Sequence, residues 1–155
     1  MVDVAALASR VVVIEAGRIV QDGSVQELTA RPRSAWAARF AGLELLRGTA
    51  DGGSVQLDDG GRLELAASNS GAVLVALRAS SIALSLSPPT GSARNAWQVV
   101  VRGLESLGDR VRVELDGAPS VAADVTPAAV AALDLRPGAT LWASVKATDL
   151  EAYPA

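Results

Sequence analysis

The chain has 155 residues, half of them hydrophobic but only 3% aromatic, and a formal net charge of −3. That length holds one or two small domains whose core is built from Val, Leu and Ala, and the acidic balance argues against a nucleic-acid partner, which would select a basic face. The sequence contains neither Cys nor His, which excludes disulfides and thiolate metal sites and removes the commonest general base and zinc ligand.

No apolar run approaches the roughly 18 residues that span a bilayer. Met1 is followed by acidic Asp3 rather than a basic leader region, so the expectation is a soluble cytoplasmic protein.

Residues 10–22, RVVVIEAGRIVQD, read as two short strands about a turn at Glu15–Gly17. Val11–Ile14 is apolar on both faces, the pattern of a strand buried in a larger sheet. Ser24 and Glu27 have the spacing of a capping box, which starts a short helix that Pro32 ends or interrupts. Ser34 caps a second helical stretch, AWAARFAG, closed by Gly42. From Leu43 the pattern changes to short alternating runs, SVQL, RLELAA and AVLVAL, with glycine turns at 51–53 and 58–61. SPPTGS, residues 87–92, is a linker. WQVVVRGLESLG and RVRVEL are strands about a turn at Gly108–Asp109, and VAADV is another. TPAAVAALDL is a short helix with Thr126 as its cap and Pro127 at its first position. ATLWASVKA is the last long strand.

An internal repeat divides the β-rich part. Shifted by 68 positions, VLVALRASSI at 73–82 lies over LWASVKATDL at 141–150, so that Arg78 meets Lys146 and Ala79 meets Ala147. Two related modules are expected, roughly 43–88 and 89–155.

Lys146 is the sole lysine beside 13 arginines. A GC-rich genome that favours arginine codons accounts for the bias; a site too tight for a guanidinium accounts for the exception. There is no G-x-x-x-x-G-K-[ST] loop and no G-x-G-x-x-G loop. The carboxylates Asp58, Asp59, Asp109 and Asp116 are read as solvated turn and surface residues, and no catalytic constellation is visible. What stands out is a set of anion donors. SARN, residues 92–95, offers a hydroxyl, a guanidinium and an amide. SVKAT offers Lys146, Thr148 and the N–H of Ala147, and VTP offers Thr126 at a helix start. Taken singly, each has an ordinary alternative: Ser92 as a turn cap, Arg94 and Lys146 as surface charges, Thr126 as a plain helix cap.

Taken in order, SARN, GDRVRVELDG, VAADVTPAAVAALDLRPG and WASVKATDLEAYP resemble the molybdate-binding Mop/TOBE module over residues 91–154. LASRVVVIEAGRIVQDGSVQELTARPRSAWAARFAG resembles the tail of an ABC-transporter ATPase domain, just beyond its switch histidine. The resemblance implies a mainly β fold of tandem OB-like β-barrel modules after a small α+β tail. The tail would occupy 1–42, a first degenerate module 43–88, and an oxyanion-binding module 89–155.

It implies a site as well. Ser92 and Arg94 contact the oxyanion from SARN, Lys146 and the backbone of Ala147 from the K-A-[ST] element, and Thr126 through its hydroxyl. The ligand is molybdate or tungstate, bound as an oxyanion with no cofactor and no metal ligated by the protein. Three residues after Thr126, where molybdate binders often place a serine, this chain has Ala129, one donor fewer. The first module has RASS where the second has KATD and lacks a SARN equivalent, which implies a structural role for it.

The implied function is a regulatory module of a molybdate or tungstate importer. It would act in the cytoplasm, peripheral at the inner face of the membrane. The implied partners are a second copy in a homodimer and, through the parent ATPase domain, the permease subunits. The alternative is a structural, dimerising module without oxyanion binding. Walker A, ABC signature and switch histidine are missing from this chain, so ATP hydrolysis is not expected of it. Val11–Ile14 would expose an apolar edge unless it packs on a partner.

Overall fold

The computed structural model describes residues 8–155; the Met1–Asp3 stretch read above for a leader lies outside them. The amino-terminal segment folds as the hairpin β1 (Val11–Glu15) and β2 (Arg18–Gly23), followed by α1 (Val25–Ala30) and α2 (Ala35–Ala41). Both helices start where capping chemistry places them. Ser24 and Glu27 exchange side-chain and backbone hydrogen bonds at α1, and the Ser34 hydroxyl accepts from Ala37 N–H at α2. Gly42 closes α2 in the left-handed region at φ 72°, a conformation that costs a side-chain-bearing residue.

Val11–Ile14 has an exposed apolar side in this chain, the edge anticipated above. Among the described residues, the sheet containing β1 has two strands. Val13 is buried, but Ile14 and Ile19 are 64% and 65% exposed.

The remainder is β-rich. β3 (Leu43–Leu57) and β4 (Arg62–Arg78) form one long hairpin, and a 3-10 turn at Ala79–Ser81 leads to β5 (Ala83–Ser85). The second half contains β6 (Asn95–Leu107), β7 (Arg110–Gly117), β8 (Val121–Val125), α3 (Pro127–Ala132), β9 (Thr140–Val145), a 3-10 turn at Ala147–Asp149 and β10 (Glu151–Pro154). The sheets run β10-β4-β3 and β5-β9-β6-β7-β8.

The glycines at 51–53 do not end a strand as the sequence suggested. Gly52 lies at a register shift within β3, between the Gly52–Asn69 and Ser54–Glu64 pairs, where an irregularity bends the ladder. The bend folds β3 back on itself, so that Asp58 N–H donates to Arg47 C=O at 3.0 Å. Gly48 lies at the crossing, where a Cβ would come within 2.3 Å of the Gln56 carbonyl oxygen. The hairpin is thereby curled into a small barrel-like wall.

The internal repeat is visible as a reciprocal strand exchange. In the first sheet Glu151 pairs with Ala76 and Ala152 with Val75. In the second, Ala83 pairs with Ser144 and Leu84 with Ala143. Adding 68 to one member and subtracting it from the other turns each pair of the first set into one of the second, as a pseudo-twofold requires. β5 and β10, the short strands that follow the two 3-10 turns, had no separate sequence signal. Each completes the other half's sheet. One core spans both halves, with Val55, Leu63 and Val75 packed in the same cluster as Val99, Val113 and Leu141.

Candidate functional site

Ser92 and Arg94 lie in the loop that enters β6, and Lys146 follows the end of β9. The β6–β9 ladder begins with Asn95 opposite Val145. One step further out, Arg94 and Lys146 leave the two strands as neighbours. Like charges placed side by side on paired strands repel, so this juxtaposition favours an anion between them.

Ser92, Arg94, Lys146, Ala147 and Thr148 line one cavity of about 360 Å³ together with Leu65 and Ala66 of β4. Ala147 is buried and begins the 3-10 turn; no side chain caps that turn at Lys146. Among the described residues, neither Arg94 nor Lys146 forms an ion pair with a carboxylate.

The cations elsewhere contrast with this pair. A second cavity, of about 390 Å³, is lined by Arg39, Glu44, Arg102, Arg112 and Glu114 among others. Its arginines are largely committed: Arg112 grips Asp124 through both prongs at 2.8 and 3.1 Å, and Arg102 reaches Glu114 at 2.8 Å. Burial raises the Glu44 carboxyl there, against the opposing pull of the Arg112 charge and the Ala122 backbone N–H. That cavity carries carboxylates as well as cations, whereas the one at Lys146 is lined by cations without carboxylates.

Asn95 holds the site together, a role that sequence reasoning passed over. It is 4% exposed. Its Oδ1 accepts from Glu64 N–H at 2.7 Å and its Nδ2 donates to Glu64 C=O at 3.0 Å. β10 pairs with β4 only over Val73–Ala76, so Asn95 satisfies a stretch of β4 edge that no strand covers. The last residue of SARN thus fastens the Ser92–Arg94 loop to the strand that supplies the Leu65–Ala66 wall. The alternation in RLELAA signals the strand but not that its edge is open.

Thr126 does not join the others within one chain. Its Oγ1 accepts from Ala129 N–H at 3.2 Å as the cap of α3. It follows β8, which is separated from β9 in the sheet by β7 and β6. β8 packs instead against the 3-10 turn Ala79–Ser81, as β4 packs against Ala147–Asp149. The pseudo-twofold counterpart of Lys146 is Arg78, and its ladder partner is Leu43. The first half therefore has no second cation where the second half has Arg94.

The TOBE domain family matches residues 91–152. The chain is 33% identical over 165 residues to the molybdenum import ATP-binding protein ModC of Mycobacterium tuberculosis, aligning all of this chain with 44% of that protein. It is 33% identical over 150 residues to the molybdate/tungstate import ATP-binding protein WtpC of Pyrococcus horikoshii, aligning 96% of this chain with 43% of that protein. The chain thus spans less than half the length of the curated relatives it matches. Among solved structures, the cytoplasmic molybdate-binding protein ModG superposes with a TM-score of 0.63 at 24% identity, covering 72% of this chain and 96% of that one. The fold is accordingly mainly β and OB-like, as expected from the sequence. No helix among the described residues is long and apolar enough to cross a membrane.

Proposed function

Residues 91–152 form a TOBE domain in a chain homologous to the C-terminal region of molybdate and tungstate importer ATP-binding subunits, and from that premise we propose that it binds molybdate or tungstate and reports its presence to the importer. The observation that carries this reading is the Arg94–Lys146 pair. Two cations on adjacent strand ends face one cavity, without carboxylate partners among the described residues.

A tetrahedral oxyanion is held by charge-assisted hydrogen bonds from several directions. Here Lys146 and Arg94 supply positive charge, Ser92 and Thr148 hydroxyls, and Ala147 a backbone N–H. Thr126 would enter such a site from a second copy of the chain, which makes a homodimer part of the proposal. The tail at 1–42 would join the module to the ATPase domain of its parent. The two β-modules, divided near residue 88, would act in the cytoplasm beside the permease subunits, contributing binding rather than ATP hydrolysis.

Calorimetric titration with molybdate and tungstate, with sulfate as the control anion, tests this. Micromolar or tighter binding of either metal oxyanion, abolished by Lys146→Ala in a folded chain, is the expected result. Ala129 favours a second reading, because the position three residues after Thr126 offers no hydroxyl. On that reading the module only assembles the subunits, and the titration gives no heat while the chain remains folded and dimeric.

A further inference from the structure

The anion cavity is tied to the amino-terminal segment by one short strand. The 3-10 turn Ala147–Asp149 lines the cavity at its first two residues. Leu150 then anchors the chain in the core, and β10 begins at once with Glu151. β10 does more than complete the first sheet. The Glu151 carboxylate accepts from Arg31 Nε at 3.0 Å. Tyr153, 2% exposed, donates its hydroxyl to the Pro32 carbonyl, and the Arg31 guanidinium lies over its ring at 5.9 Å from the centroid. Arg31–Arg33 is the link between α1 and α2.

The same link is held from its other side by Gln21 of β2. The Gln21 amide donates to Arg31 C=O and accepts from Arg33 N–H, each at 2.9 Å. An unbroken series of contacts therefore runs from Lys146 through β10 to the Arg31–Arg33 link and on to the hairpin that exposes Ile14 and Ile19. The pseudo-twofold counterpart, β5, follows the cation-poor turn and pairs only with β9. Of the two short strands that follow the 3-10 turns, β10 is the one whose side chains hydrogen-bond to the Arg31–Arg33 link, which Arg47 of β3 also reaches by donating to Arg33 C=O at 3.4 Å.

We infer that β10 couples occupancy of the Lys146 cavity to the amino-terminal segment, with Glu151 and Tyr153 as its coupling residues. The inference rests on the oxyanion reading above. An anion that fixes the Lys146–Thr148 turn also fixes the start of β10. That restricts the angle at which Tyr153 and Glu151 hold residues 31–33. Coupling between two sites is a free energy that each site exerts on the other, so the effect must be readable at the amino-terminal end.

The test is amide hydrogen exchange of the full chain with and without saturating molybdate, with affinity measured in parallel. In the native sequence, exchange across residues 31–41 is expected to slow by about fivefold or more, the lower end of ordinary coupling. Tyr153→Phe and Glu151→Gln, neither of which touches the cavity, should retain molybdate affinity and lose that slowing. A purely structural role for β10 would speed exchange in both states alike and leave their ratio intact. Glu151→Gln changes only an exposed ion pair and decides the matter if Tyr153→Phe does not fold. Binding with no slowing in the native chain, or slowing that persists in Glu151→Gln and in a folded Tyr153→Phe, overturns the coupling and leaves the binding site standing. Absence of molybdate binding removes the reading beneath it.

Discussion

Asn95→Ala is the perturbation whose size the structure fixes best. The amide makes two hydrogen bonds to one backbone unit, at 2.7 and 3.0 Å, from a position 4% exposed. A typical intramolecular hydrogen bond contributes about 1 kcal/mol net, and a buried group left without its partner costs about 1–3 kcal/mol. Truncation removes both bonds and leaves the Glu64 N–H and C=O at a half-buried edge that water reaches only in part. The expected loss is about 2–3 kcal/mol, which for a chain of this length lowers Tm by roughly 5–10 °C. Urea unfolding followed by circular dichroism measures it, with a lower midpoint and an unchanged slope. Asn95→Asp separates the two bonds, because a carboxylate still accepts from Glu64 N–H but presents lone pairs to the Glu64 carbonyl. A loss of less than about 0.5 kcal/mol for Asn95→Ala, within the range of ordinary surface substitutions, would refute the view that this amide fastens the SARN loop to β4.

Three further outcomes follow from the packing and the charges. Gly48→Ala places a Cβ 2.3 Å from the Gln56 carbonyl oxygen and 2.9 Å from Val55 Cγ2; overpacking against backbone predicts a loss of about 3 kcal/mol in urea unfolding. Asp124→Asn leaves the Arg112 guanidinium without its carboxylate partner; hydrogen bonds to charged groups contribute about 1.5–3 kcal/mol, and a loss of that order is expected in the same assay. Glu44 gives a pH signature. Burial raises its carboxyl above the ordinary 4.5, so the folded chain holds a proton that the unfolded chain releases, and stability declines as pH rises from 4.5 through the folded value. Glu44→Gln should therefore stabilise the chain at neutral pH, with the gain fading below about pH 4.5, as midpoints across that range will show.

Local chemistry made much of this fold legible. The Ser24–Glu27 box, the Ser34 and Gly42 caps and the Thr126–Pro127 start all stand where their side chains dictate. The turn read at 51–53 misled because a glycine serves a turn and a bend within a strand equally well: Gly52 takes positive φ inside β3, where the sequence suggested a break. β5 and β10 escaped because short strands carry little periodicity, and their pairing partners lie tens of residues away. Four of the five residues expected at the site, Ser92, Arg94, Lys146 and Ala147, reach one cavity because the β6–β9 ladder aligns Arg94 with Lys146, a register no local signal reveals. Thr126 stays apart because capping spacing says what its hydroxyl does at the helix and nothing of which strand edge the helix follows.

The reciprocal exchange of β5 and β10 explains how a repeat can keep one cavity with a cation pair and one without. Each half owes its edge strand to the other, and the valines and leucines of both fill a single core. Neither half can lose its 3-10 turn without opening its neighbour's sheet, so the turn at Ala79–Ser81 is held in place by packing whatever its chemistry. Its cavity-facing positions are free of that constraint. Leu43 stands where Arg94 stands in the second half, beside the backbone-bonded Glu44 where the second half has Asn95. The surviving cation pair is the one backed by β10, the strand that reaches Arg31–Arg33. On the proposed reading, recognition and its readout both rest on the residues Lys146 to Tyr153, and a change in the spacing between them would be expected to break both at once.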